Sequence, residues 1–210
     1  MSNAKTLIFT DMDGTLLDHN TYSFAAAEPT LKKLEGANIP VIPTTSKTFV
    51  ELLALHQTLS LNGPFIVENG AAAYIPHGFF KKKPAGTVWQ DGFWCKSFTS
   101  SKMYWLKLLE KVKPDFQDEF THFSEMTIED ICEATGLDAA DATRAAQRQF
   151  GEPVLWKGSD ERKEAFIKSV TERGAYPLEG GRFIHISGDC NKGAALEWFV
   201  DEYRRQSNED

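Results

Sequence analysis

This chain of 210 residues predicts an α/β fold: an open parallel sheet interrupted by an inserted α+β domain. Three observations point there. Short apolar runs, Leu7-Ile8-Phe9, Ile39-Pro40-Val41-Ile42 and Phe65-Ile66-Val67, recur at strand length and are separated by stretches of helical periodicity. Each run ends in small or polar residues, as strands do when they carry ligand-binding groups at the carboxyl edge of a sheet. Past residue 80 the alternation gives way to aromatic pairs, helices and isolated strands, until a last helix opens at Asn191.

The first strand leads into Asp11-Met12-Asp13-Gly14-Thr15-Leu16-Leu17. Alternation along an extended backbone points Asp11 and Asp13 the same way, and Gly14 allows the turn that follows. Two carboxylates held that close repel unless a cation sits between them. Mg2+ suits the position, being a hard ion that takes carboxylate and phosphate oxygen. One acid can then attack phosphorus as an aspartyl nucleophile. The competing reading, a surface hairpin closed by Asp-Gly, explains neither the preceding buried strand nor the Leu-Leu that follows.

A helix comes next, with Pro29 in its first turn and Leu31, Leu34 and Ala37 on one face. The second strand ends in Pro43-Thr44-Thr45-Ser46-Lys47-Thr48, where the Thr45 hydroxyl or backbone N–H can hold a phosphate oxygen or simply cap the following helix. That helix carries Phe49, Leu52, Leu53, Leu55 and Leu59; Asn62-Gly63-Pro64 punctuates; and the third strand ends at Glu68-Asn69-Gly70, which also reads as a plain turn. Strands alternating with helices imply right-handed crossovers in a parallel sheet.

Lys81-Lys82-Lys83-Pro84 reads as a solvated linker, and the inserted domain is placed at 81–188, leaving 1–80 and 189–210 as the core. Within the insert, helices are expected over Lys102 to Val112, from Thr127 to a stop at Gly136, over Ala139 to Phe150, and after a Ser159 cap. Strands are expected at Val154-Leu155-Trp156 and Arg182 to Ile186, with Trp89, Trp94, Trp105 and Trp156 in the core of this domain. Lys192 opens the last helix behind an Asn191 cap; the helix dipole does not favour a cation there, and a counter-anion explains it.

The bulk numbers narrow the partners. A net charge of −7 argues against nucleic acid, which needs a basic face. No stretch approaches the roughly 20 apolar residues of a membrane helix, and no signal peptide precedes the first strand. Cys95, Cys132 and Cys190 are widely spaced and odd in number, which suits reduced thiols in a cytoplasmic protein. The histidines show no metal-ligand spacing. Met1-Ser2-Asn3-Ala4 is set aside from the fold reading.

Leu7 to Leu17 resembles the first motif of the haloacid dehalogenase-like superfamily of phosphohydrolases, whose core is Rossmann-like. The resemblance implies that Asp11 is the nucleophile and Asp13 the general acid/base, that both bind Mg2+, and that Thr15 marks the phosphatase branch. Thr45 and Lys192 match its second and third motifs, a phosphate-binding hydroxyl and a charge-stabilising lysine. The position of the insert resembles the branch whose cap lies between the third strand and that lysine, class IIB. Further segments are similar to the mannosyl-3-phosphoglycerate phosphatase group: Thr45-Ser46-Lys47-Thr48, Val67-Glu68-Asn69-Gly70-Ala71, Glu125 to Asp130, Thr135-Gly136-Leu137 and Gly180-Gly181-Arg182-Phe183. That likeness implies a small phosphorylated sugar as substrate, met by Lys47, Glu68, Asn69, Gly70 and Arg182, although Arg182 also suits a structural ion pair. A broad sugar-phosphate phosphatase and a fragment that only binds phosphorylated ligands are the alternatives.

The fourth motif of the superfamily, a Gly-Asp-x-x-x-Asp-type loop, is expected after the last helix and a further strand. The chain ends at Arg204-Arg205-Gln206-Ser207-Asn208-Glu209-Asp210 without it, and Glu209 and Asp210 are not assigned in its place. The expectation is a shortened version of the family with weakened catalysis and a sheet edge free for self-association.

Overall fold

The computed structural model describes residues 6–18, 21, 23–59 and 61–208; Met1-Ser2-Asn3-Ala4, Glu209 and Asp210 fall outside them. Two compact units divide the chain. The first gathers 1–47, 52–98 and 191–210, the second 48–51 and 99–190.

In chain order the elements are β1 (Ile8–Thr10), α1 (Glu28–Gly36), β2 (Val41–Pro43), α2 (Phe49–Leu59), β3 (Phe65–Val67), β4 (Ala72–Pro76), β5 (Val88–Gln90) and β6 (Phe93–Ser97). There follow α3 (Lys102–Val112), β7 (Phe120–His122), α4 (Ile128–Thr135), α5 (Ala139–Ala146), β8 (Glu152–Trp156), α6 (Asp160–Glu172), β9 (Leu178–Gly180), β10 (Phe183–Ile186) and α7 (Lys192–Asn208).

In the first unit β1 and β2 pair in parallel, Ile8 opposite Val41 and Thr10 opposite Pro43. A parallel bridge between Thr44 and Ile66 carries the arrangement to β3. From there the sheet turns antiparallel in the order β3-β4-β6-β5. Strand β4 is Ala-Ala-Tyr-Ile-Pro, and its first four residues are fully buried, as a strand covered on both faces requires. Helix α7 supplies one cover. Ala195, Phe199 and Tyr203 recur at helical spacing and pack with Ile42, Ile66, Ala73 and Ile75. Phe9 meets Phe199 edge to face at 5.8 Å. Glu202 and Gln206 on the same helix are buried polar residues, and Gln206 exchanges hydrogen bonds with the Lys82 backbone, which ties the 81–83 segment down.

The second unit has the antiparallel sheet β7-β8-β10-β9. Phe120, Val154, Ile184 and Ile186 join Trp105, Leu108, Leu109 and Val112 of α3 and Phe166 and Val170 of α6 in one core. Alternation sends Phe183 into a second cluster with Phe123, Ile131, Met126 and Leu137. The helix signals of this region hold in the structure. Thr127 and Asp130 form a reciprocal capping box, Gly136 ends α4 in the left-handed region at φ 80°, and Ser159 accepts from Arg162 N.

Three readings differ from the sequence-based ones. The hairpin β5–β6 adds to β4, with Tyr74 opposite Cys95 and Ile75 opposite Trp94, so it counts with the first unit rather than with an insert starting at residue 81. Trp94 therefore packs in the first core, and Trp89, on edge strand β5, is 51% exposed rather than buried. Helix α5 stops at Ala146 instead of Phe150, and past its end the Gln149 carbonyl accepts from the amide of Lys102 at 2.7 Å.

Candidate active site

The tip of β1 is shaped by what its apolar residues bury. Met12, Leu16 and Leu17 sink into a cluster with Leu59, Leu55 and Phe24, and the turn closes with Leu17 N donating to Met12 O at 2.8 Å. Gly14 supplies the positive φ of 67° this turn needs. With its alternate residues pinned inward, the loop leaves Asp11 and Asp13 outward, their side chains 46% and 39% exposed.

Each carboxylate has met a lysine. Lys192 Nζ lies 2.5 Å from Asp11 Oδ2, and the other Asp11 oxygen accepts from Met12 N at 2.7 Å. Lys47 Nζ lies 3.0 Å from Asp13 Oδ1, with the Lys47 side chain only 16% exposed. Pairs this exposed are worth about 0–1 kcal/mol to folding, so stability is a poor reason for drawing these charges to one edge. Binding of a compact polyanion is a better one.

Thr45 is fully buried at the end of β2. Its N–H donates to Ile66 O at 3.0 Å, which removes the backbone N–H as a phosphate donor. Its Oγ1 accepts from Lys47 N at 3.2 Å, so this threonine sets the loop that holds Lys47. Glu68, Asn69 and Gly70 form a tight turn after β3, with Glu68 buried and Asn69 half-buried. Glu68 N donates to Lys47 O and Asn69 N to Thr45 O, at 3.0 and 2.9 Å. The structure thus brings Asp11, Asp13, Thr45, Lys47, Glu68, Asn69, Gly70 and Lys192 together in the first unit. Arg182 belongs to the second, where it is exposed at the β9–β10 turn and donates to Ala134 O at 3.1 Å.

Sequence reasoning missed the pairing of Lys47 with Asp13, having aimed Lys47 at substrate. It also missed Asn191 and Gly70 as backbone neighbours, although the glycine after Glu-Asn was a signal for a close approach.

The donor set at the β1 tip fits a hard divalent cation. Asp11 and Asp13 offer only oxygen, and Mg2+ is ordinarily bound by one or two carboxylates, the rest of its shell being water and phosphate. Among the described residues no group of three or more His, Cys, Asp and Glu side chains gathers to make an all-protein cage.

Residues 8–83 match the family model for haloacid dehalogenase-like hydrolases. A glucosyl-3-phosphoglycerate/mannosyl-3-phosphoglycerate phosphatase of Methanococcoides burtonii is 34% identical over 205 residues, covering 98% of this chain and 75% of that protein. The chain belongs to the haloacid dehalogenase-like hydrolases. Its enzyme class is that of a phosphatase. Solved structures agree on the fold of these hydrolases. BT1666 from Bacteroides thetaiotaomicron, described among the phosphatases of the superfamily, superposes with a TM-score of 0.67 at 15% identity, over 95% of this chain and 73% of that one. The subclass IIB sugar phosphatase BT4131 superposes with a TM-score of 0.61 at 11% identity, over 94% and 76%.

Proposed function

We propose that this hydrolase removes the phosphate of a glycosyl-3-phosphoglycerate, with a mannosyl or glucosyl head group, through a phosphoryl-aspartate on Asp11. The observation that carries the reading is the likeness to the Methanococcoides burtonii phosphatase, which runs through nearly the whole chain and so includes the second unit as well as the Asp11 loop.

Asp11 is the nucleophile. Its backbone bond from Met12 and its contact with Lys192 fix the carboxylate plane, leaving little rotational freedom to lose when it attacks phosphorus in line. The acyl phosphate forms as the phosphorus–oxygen ester bond breaks, and Asp13, in its protonated form, gives the leaving alkoxide its proton. As a carboxylate, Asp13 then takes a proton from the water that attacks the acyl phosphate, which frees phosphate and restores Asp11. Lys192 and Lys47 place positive charge beside the equatorial oxygens, where negative charge is spread in the transition state. Thr45 holds the Lys47 loop and has only its hydroxyl proton left to offer. Mg2+ would be held at this edge by the Asp11 carboxylate and an oxygen of Asp13, and would supply Lewis-acid polarisation of the phosphoryl oxygens. Arg182, in the second unit, carries a guanidinium able to pair a carboxylate bidentately.

Cys95, Cys132 and Cys190 form no disulfide among the described residues, and no helix among those residues is long and apolar enough to cross a membrane. Thiols kept as thiols fit a reading in which the enzyme works in a reducing cytoplasm.

The test is phosphate release from mannosyl-3-phosphoglycerate, glucosyl-3-phosphoglycerate and hexose 6-phosphates, with and without Mg2+, for the natural chain and for Asp11→Asn. The expected result is Mg2+-dependent turnover with the highest kcat/KM on the glycosyl phosphoglycerates, abolished in the variant. Equal kcat/KM on hexose phosphates moves the assignment to a general sugar phosphatase, and undiminished hydrolysis by Asp11→Asn overturns the mechanism.

A further inference from the structure

Glu68, Asn69 and Gly70 have consecutive positive φ values of 49°, 60° and 93°. Two of them are not glycine, and a left-handed run of this kind persists only where its surroundings over-determine it. On one side the turn is held by the carbonyls of Thr45 and Lys47. On the other it lies against the chain entering α7. A Cβ built on Gly70 would fall inside van der Waals contact of the Asn191 carbonyl and 2.6 Å from the backbone nitrogen of Lys192. Gly70 is itself buried, so the space has no slack. The same turn therefore touches the backbones that carry both lysines, Lys47 facing Asp13 and Lys192 facing Asp11.

We propose that Gly70 is a positioning residue, not a substrate contact: its bare α-carbon lets α7 start close enough to β3 for Lys192 to reach Asp11. The strained turn is the gauge that sets this distance. Asn191 completes the device from the other side, where its Oδ1 accepts from Ala194 N at 2.9 Å and caps the helix that presents Lys192. Any side chain at position 70 pushes the 191–192 backbone outward and also meets the positive φ that only glycine accepts cheaply. A displacement of about an ångström at a charged group in a phosphoryl-transfer site is enough to cost roughly 100-fold in rate.

The kinetic half of the test rests on the proposed function; the labelling half does not. Reductive methylation with formaldehyde, read lysine by lysine by mass spectrometry, reports whether Lys192 is engaged with Asp11. Gly70→Ala is expected to raise the labelling rate of Lys192 severalfold while exposed Lys168 labels as before. On an Asp11→Asn background the same change adds nothing. In turnover of mannosyl-3-phosphoglycerate and p-nitrophenyl phosphate, Gly70→Ala lowers kcat at least about tenfold on both, but less than about twofold further on a Lys192→Met background, because residues acting through one group are not additive. Asn191→Ala, which removes one cap bond and adds no clash, shows the same pattern with smaller amplitude and carries the test if Gly70→Ala does not fold.

Unchanged Lys192 labelling in the folded variants overturns the inference, as does a full tenfold loss on the Lys192→Met background. A rise in KM confined to mannosyl-3-phosphoglycerate overturns it too and returns Gly70 to the substrate-binding set. A natural chain that hydrolyses neither probe refutes the proposed function alone, and the labelling arm still decides the role of Gly70.

Discussion

Acid should unfold this protein through two histidines, His56, which is buried, and His185, which is half-buried, one in each compact unit. His56 is 9% exposed, its ring sits edge-on to Phe65 at 4.6 Å, and its Nε2 has no hydrogen-bond partner among the described residues. Burial holds its pKa down at about 4 against an ordinary 6.5. His185 on β10 is likewise held at about 4, by burial first and by the charge of Arg148 second. Below pH 6.5 the unfolded chain binds two protons that the folded one refuses until about pH 4. Stability is therefore complete above the unfolded value and falls with pH across the window from 6.5 to 4. By linkage, lowering pH from 7.5 to 5.0 costs about 2 kcal/mol for each histidine, about 4 kcal/mol together. The carboxylates of Glu152 and Glu202 lie below their ordinary value of 4.5 in the fold, and because such groups are still about three-quarters ionised in the unfolded chain at pH 5, each adds only about 0.2 kcal/mol. Urea unfolding followed by tryptophan fluorescence at the two pH values gives the measurement. The natural chain should lose about 4 kcal/mol, His56→Leu and His185→Leu about 2 kcal/mol each, and the double variant only a small remainder. A double variant that still loses the full amount would refute the argument, because the protons would then be binding elsewhere.

The Asp11 loop, the parallel strands and the helix caps were legible because each rests on local chemistry. Pro29 in the first turn of α1, the Thr127 cap, Gly136 as a left-handed stop and Asn191 before α7 need only their immediate neighbours to act. Strand β4 was not legible. Ala71-Ala72-Ala73-Tyr74-Ile75 has no alternation to detect, since both faces of the strand are covered. Strand β9 failed for the opposite reason: Leu178-Glu179-Gly180 is exposed throughout, and only pairing with β10 makes it a strand. At the site, residue types predicted Asp11, Asp13 and Lys192, but no local pattern shows that Lys47 bonds Asp13. Nor does any pattern place Asn191 on Gly70. Those contacts depend on where distant segments cross, which pairing and helix packing decide.

Three further outcomes are expected. Glu152, with 1% exposure, accepts from Ser124 N and pairs with His122 at 2.8 Å in the second unit. Glu152→Ala leaves the Lys102 ammonium without its buried counter-charge and removes the oxygen that bonds His122 and Ser124 N, and it should cost about 3–5 kcal/mol, a melting loss of at least about 6 °C by calorimetry; a loss under about 2 °C would contradict it. Thr127→Ala, which opens the capping box of α4, should cost about 1 kcal/mol, and an unchanged melting temperature would show that the box is ornamental. Lys47→Met separates a catalytic charge from a structural one. The ion pair to Asp13 is partly exposed and contributes at most about 1 kcal/mol, so the melting temperature should barely move. On the proposed mechanism, however, the ammonium faces the developing phosphoryl charge, and removing one such stabilising group typically costs about 100-fold or more in kcat. A variant that melts early but turns over normally would place Lys47 in the scaffold, and the electrostatic reading of the β1 tip would then rest on Lys192 alone.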